Sequence, residues 1–131
     1  MAYQLNSTSK QGMTQSLLYG MTGGNLKIYT SALSFPSNPI ETESSLPAGH
    51  ILSYTGLTYT VSNTTMSITG GNVTQAATAG GTITWWSLAT GNDVIISDSI
   101  SLSGGNGIVV VSNTAPTTGT QVTVTMNLTI L

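Results

Sequence analysis

The nine residues 122–130 alternate without a fault. Val122, Val124, Met126, Leu128 and Ile130 are apolar, and Thr123, Thr125, Asn127 and Thr129 stand between them. A period of two puts one set on each face of a strand, so the segment reads as a β-strand with its apolar side in a core and its threonine side in water. Threonine is β-branched and suits a solvated pleat. Such a strand is not stable alone. It needs neighbours in a sheet and a second layer over its apolar face.

The rest of the chain supplies the neighbours. Short apolar or β-branched runs lie at 25–29, 50–54, 57–61, 65–68, 81–88, 93–102 and 107–111, separated by Gly, Asn and Pro. In the run 93–102 the even positions Val94, Ile96, Ile100 and Leu102 share a face interrupted by Asp98, which predicts a bend or bulge near Ser97. Thr90-Gly91-Asn92-Asp93 has the composition of a hairpin turn. About seven or eight short strands joined by turns predict an all-β fold, an antiparallel sandwich or jelly roll. One stretch breaks the pattern. Residues 9–19 lack β alternation and place Met13, Leu17 and Leu18 toward one side, predicting a short helix with Ser9 as cap and Gly20 as terminator. Residues 1–8 then form an extended arm, and 9–131 a single domain, which is all that 131 residues accommodate. Residues 31–46 carry Pro36 and Pro39 without any period and read as a long loop, a kind usually functional or pinned by a partner.

Charge is nearly missing. Lys10, Lys27, Glu41, Glu43, Asp93 and Asp98 make up 5% of the chain, against about 25% in an ordinary soluble domain. The net charge of −2 excludes a basic footprint for nucleic acid. The apolar runs are far shorter than a membrane helix needs, so no membrane partner is expected. Residues 1–10 are polar and lack the apolar stretch of an export signal, which implies synthesis in a cytoplasm. In place of charge stand 49 Thr, Ser and Asn residues. Copies of so neutral a surface repel one another little, as suits a subunit packed at high density.

The residues offer little chemistry. No cysteine is present, which removes disulfides, thiolate metal sites and thiol catalysis together. His50 is the single histidine, and Glu41 or Glu43 would have to orient it as a general base; a surface histidine bonded to backbone explains it better. Asp93 follows a turn, Asp98 is expected in mid-strand, and with Asn92 they offer too few carboxylates for calcium. The pairs Gly23-Gly24, Gly70-Gly71, Gly80-Gly81 and Gly104-Gly105 precede no helix with a lysine and read as hairpin punctuation. No catalytic, metal or cofactor-binding residue is assigned, and the chain is expected not to be an enzyme.

Trp85 and Trp86 are neighbours on an expected strand, so their rings point to opposite faces. One enters the core. The other emerges as an interface anchor or a sugar-stacking platform, unless a loop of the same subunit covers it. Leu88 continues the face of Trp86 while Ser87 makes that of Trp85 more polar, which favours Trp86 as the core member; Ile83 shares parity with Trp85. Trp85, Trp86, Phe35, Pro36 and Pro39 are the candidates for a subunit interface or partner-binding surface.

At GGNLKIY (residues 23–29), at GTITWWSLATGNDVIISDSISL (81–102) and at the terminal TQVTVTMNLTI, the chain resembles small virion proteins of tailed bacteriophages. The likeness runs over residues 13–131. The resemblance implies a capsid decoration or cement protein, a β-sandwich homotrimer on the outside of the virion, with the major capsid protein as partner and no cofactor. Thr30 stands where the resemblance calls for an aspartate after Tyr29. The second reading is a carbohydrate-binding tail or fibre module using one of the tryptophans.

Overall fold

The computed structural model describes residues 6–102 and 107–130. Ten strands form two sheets facing one another, so the fold is an all-β sandwich. The first sheet has the order β2-β1-β6-β7, built from β1 (Asn25–Thr30), β2 (Leu52–Tyr54), β6 (Ile83–Thr90) and β7 (Asp93–Ser97). The second has the order β3-β4-β10-β9-β8, from β3 (Leu57–Ser62), β4 (Thr65–Gly71), β10 (Gln121–Thr129), β9 (Val109–Val111) and β8 (Ile100–Leu102). β5 (Thr74–Ala76) pairs with the start of β10, on the edge whose other end takes β4. β10 is therefore the spine of its sheet, bonded to β4 and β5 along one side and to β9 along the other. Its burial alternates at every residue, as the period-two reading requires.

The core lies between the sheets. Leu26, Ile28, Trp86 and Leu88 from the first face Met66, Val111, Val124 and Met126 from the second, all buried. Two buried side chains tie the layers together. The Tyr54 hydroxyl donates to the Val122 carbonyl at 2.7 Å, and the Trp86 Nε1 donates to the Ser99 carbonyl at 3.1 Å. The helix α1 (Ser7–Gly20) rests on β3 and β4 and sends Leu18, followed by Met21, into the same core. Gly24 follows because its Cα approaches the Leu88 side chain; a Cβ there would stand 2.8 Å from Leu88 Cδ1.

Several expectations need correction. The helix starts at Ser7, and its cap is Asn6, whose side chain accepts from the Ser9 amide at 2.8 Å. Ser9 supplies only the capped N–H, and Ser7 and Thr8 are helical rather than part of an arm; residues 1–5 lie outside the described set. Gly20 is the last helical residue, and Met21 in a right-handed conformation closes the end. Ten strands stand among the described residues where seven or eight were expected, β5 being unforeseen and the run 93–102 dividing into β7 and β8. The bend near Ser97 is a change of sheet. β7 belongs to the first sheet, the chain crosses at Asp98 and Ser99, and β8 joins the second in parallel with β9. Asp98 thus sits exposed in the crossing, not in mid-strand. The glycine pair at 104 and 105 falls outside the described residues.

The turn between β6 and β7 is as read from composition. Thr90 pairs with Asp93 across Gly91 and Asn92, and Gly91 has φ 58°. Glycine at the first central position of a two-residue hairpin loop matches the strand twist.

Candidate functional site

β1 and β2 are antiparallel neighbours, yet the connection between them is no tight turn. Residues 31–50 leave β1 at Thr30, run over the outer face of the first sheet to its far end, and return to β2. This strap is the sandwich's third layer. It explains why β6 is buried on both faces, from Ile83 through Trp85 to Ala89 with only Thr84 half-exposed.

The strap is held by an aromatic row and by polar contacts. Tyr29 of β1 and Trp85 of β6 are cross-strand partners, and their rings stack with centroids 3.8 Å apart and planes 5° from parallel. Phe35 of the strap packs edge-on against Trp85 at 5.8 Å, and His50 packs edge-on against Tyr29 at 6.1 Å. The order Phe35–Trp85–Tyr29–His50 clamps two sheet rings between two strap rings. Edge-to-face and stacked pairs each add about 0.5–1.5 kcal/mol beyond buried area. Both sheet rings also bond to the strap. Trp85 Nε1 donates to the Leu33 carbonyl at 2.9 Å, and the Tyr29 hydroxyl donates to the Pro47 carbonyl at 3.0 Å. Burial pushes the Tyr29 phenol above its usual value, and burial, with Lys27 second, pulls His50 below the usual imidazole value.

At the far end Glu43 is the fastening. Its carboxylate accepts from Asn25 Nδ2 at 3.1 Å and from the Gly91 amide at 3.2 Å, while its own amide donates to the Gly91 carbonyl at 2.6 Å. The Asn25 bond first and the Gly91 amide second hold the carboxyl below its ordinary range, against a smaller opposing effect of burial. Neither Glu43 nor Glu41 bonds to His50 among the described hydrogen bonds, so the base-and-orienter arrangement weighed from the sequence is not assembled.

The candidates separate. Trp86 faces the core between the sheets, as its continuation by Leu88 suggested. Trp85 points to the other face but does not emerge. Both tryptophans are 0% exposed, and the alternative in which a loop of the same subunit covers the outer ring describes the structure. Ile83 was given the parity of Trp85, yet it faces the core with Trp86. A register shift opposite Tyr29 and Thr30 passes over Thr84 and restores Ile83 to the inner face. Phe35 is 42% exposed, so one part of its ring seals Trp85 and the rest meets solvent. Pro36 and Pro39 line a shallow groove of about 510 Å³ beside it, with Ile40, Glu41 and Ser45. Tyr29, Leu33, Pro47 and Glu43 were missed as strap fastenings; the signal available was the apolar run through both parities of β6.

Comparison with protein-family models, curated proteins and solved structures returns no match for this chain.

Proposed function

We propose that this chain is a structural protein of a tailed-phage virion, a capsid decoration protein that docks on the assembled shell. The observation that carries the reading is the strap. It presents Pro36 and Pro39 in a groove, with the half-exposed Phe35 next to them in the chain, while the aromatic row holds it against the first sheet. A pre-ordered surface loses little entropy on docking. The resemblance of residues 13–131 to such virion proteins and the nearly uncharged Thr/Ser/Asn surface support the same reading. Binding only the assembled shell stabilises that shell by mass action. Helix α1 leaves Met13, Leu17 and Tyr19 63%, 42% and 60% exposed, apolar surface that supports assembly as a homo-oligomer, for which a trimer is the proposed state.

The carbohydrate reading loses its platform, because neither indole offers a face to a sugar while the strap is seated.

Co-sedimentation with undecorated capsids tests the proposal. The wild-type chain is expected to pellet with the shells, and Phe35→Ser to remain folded and stay in the supernatant. Failure of the wild-type chain to co-sediment sinks the decoration reading; equal binding by Phe35→Ser removes the strap from it.

A further inference from the structure

β7 is an edge strand: among the described residues β6 is the only strand bonded to it. The two-residue turn fixes which of its groups are free. Thr90 and Asp93 flank that turn as a bonded pair, so in the antiparallel alternation Asp93, Ile95 and Ser97 direct their N–H and C=O groups toward β6. Val94 and Ile96 direct theirs outward, where no hydrogen bond to a described residue takes them up. Their side chains are half-buried, giving the edge an apolar component without closing it.

Protein edges of this kind are usually guarded by lysine, proline or a bulge. Here the five strand residues hold none of these, and the register with β6 is continuous. The guards are acidic and stand at the ends. Asp93 opens the strand and Asp98 follows it at the start of the crossing, both exposed. They are two of the four carboxylates in the whole sequence. A second copy adding antiparallel to the same edge would set acid against acid at both ends. A foreign strand with a cation at each end would find opposite charge at both.

We infer that the β7 edge is a docking site for an extended segment of another protein, one that pairs with Val94 and Ile96 through its backbone and carries Lys or Arg at both ends. The segment adds a fifth strand to the first sheet, with backbone bonds giving affinity and the two aspartates setting the choice of partner. The site is separate from the strap groove and does not depend on docking to a capsid.

The test uses the full chain and two synthetic six-residue peptides of alternating valine and threonine, one with lysine at both ends and one with glutamate. In low salt the lysine peptide is expected to bind about tenfold more tightly than the glutamate peptide, and the gap is expected to narrow as salt screens the exposed pairs. Amide exchange read by NMR is expected to slow at Val94 and Ile96 and to stay unchanged at Ile95, already paired with β6. Ile96→Pro removes an outward N–H without breaking a bond to β6, so it is expected to keep the fold and lose peptide binding. The double variant Asp93→Lys with Asp98→Lys is expected to prefer the glutamate peptide. Equal affinity for both peptides, unchanged exchange at Val94 and Ile96, or peptide binding by Ile96→Pro at the wild-type level overturns the inference. Protection of those two amides that grows with protein concentration in the absence of peptide also overturns it, by making a second copy the occupant.

Discussion

Tyr29 and Trp85 stack face to face across the β1–β6 pair, 3.8 Å apart, and each ring then hands its polar atom to the strap above. The outer ring of the tryptophan pair is thereby committed to holding the chain's own residues 31–50.

Both tryptophans are therefore expected to matter for stability, by different routes. Trp86→Ala opens a cavity between the sheets and leaves the Ser99 carbonyl without its donor; a loss of ~3–5 kcal/mol follows, enough to unfold a marginal domain. Trp85→Ala also destabilises the isolated chain, and it releases the strap. A double-mutant cycle of Trp85→Ala with Tyr29→Ala is expected to show a coupling of about 0.5–1.5 kcal/mol in denaturant titrations. Additive losses would mean that the stack contributes nothing beyond burial.

Ser87 lies fully buried beneath the strap, and among the described residues its hydroxyl completes no hydrogen bond of good geometry, with the Tyr29 phenol as a polar neighbour. Leaving such a group unbonded costs about 1–3 kcal/mol, so Ser87→Ala is expected to raise the unfolding midpoint rather than lower it. The neighbouring Ala89 shows that this layer accommodates the smaller side chain. A lower midpoint would show that the hydroxyl has a role in the native packing.

Acid should weaken the strap in two stages. His50 binds its proton less readily folded than unfolded, so stability is complete above its ordinary value of 6.5 and falls as pH drops through the lower folded value. Glu43 is likewise depressed below 4.5, and its contribution is present above that pH and lost as pH falls through the folded value. Denaturant midpoints measured from pH 7 downward check this. His50→Gln is expected to flatten the first decline and Glu43→Gln the second.

Alkali should act on the phenols inside the sandwich. Burial pushes Tyr59 up to about 12 and Tyr54 further still, and their hydroxyls donate to the carbonyls of Gly24 and Val122. An unfolded tyrosine ionises near pH 10, so the stability these groups contribute is complete below that pH and is lost as pH rises toward the folded values. Tyrosinate absorbance is expected to appear together with loss of the fold, and Tyr54→Phe to shift that transition.

How far the sequence foretold the structure depended on the range of the interaction. β10 was legible because alternation is local, and so was the Gly91-Asn92 turn. The inner and outer assignment of Trp86 and Trp85 was legible too, since neighbours on a strand must diverge. Ile83 was misread because the irregularity at Thr84 shifts parity without a glycine to announce it. The change of sheet at Asp98 and Ser99 was only a bend to a local reading, because which sheet a strand joins is decided by distant partners. The strap had no period at all. Its order comes from Tyr29, Trp85 and Gly91, which lie outside it in the chain.

The position of β10 as the spine of its sheet also imposes an order in time. The first sheet has all four of its strands once Ser97 has been made, whereas β4, β5 and β9 wait for a partner that is synthesised after every one of them. During that interval the β3–β4 and β8–β9 pairs have no common strand to join them into one layer opposite Trp86 and Leu88. The late strand is therefore what joins the second sheet, and pairing across so long a stretch of sequence is slow.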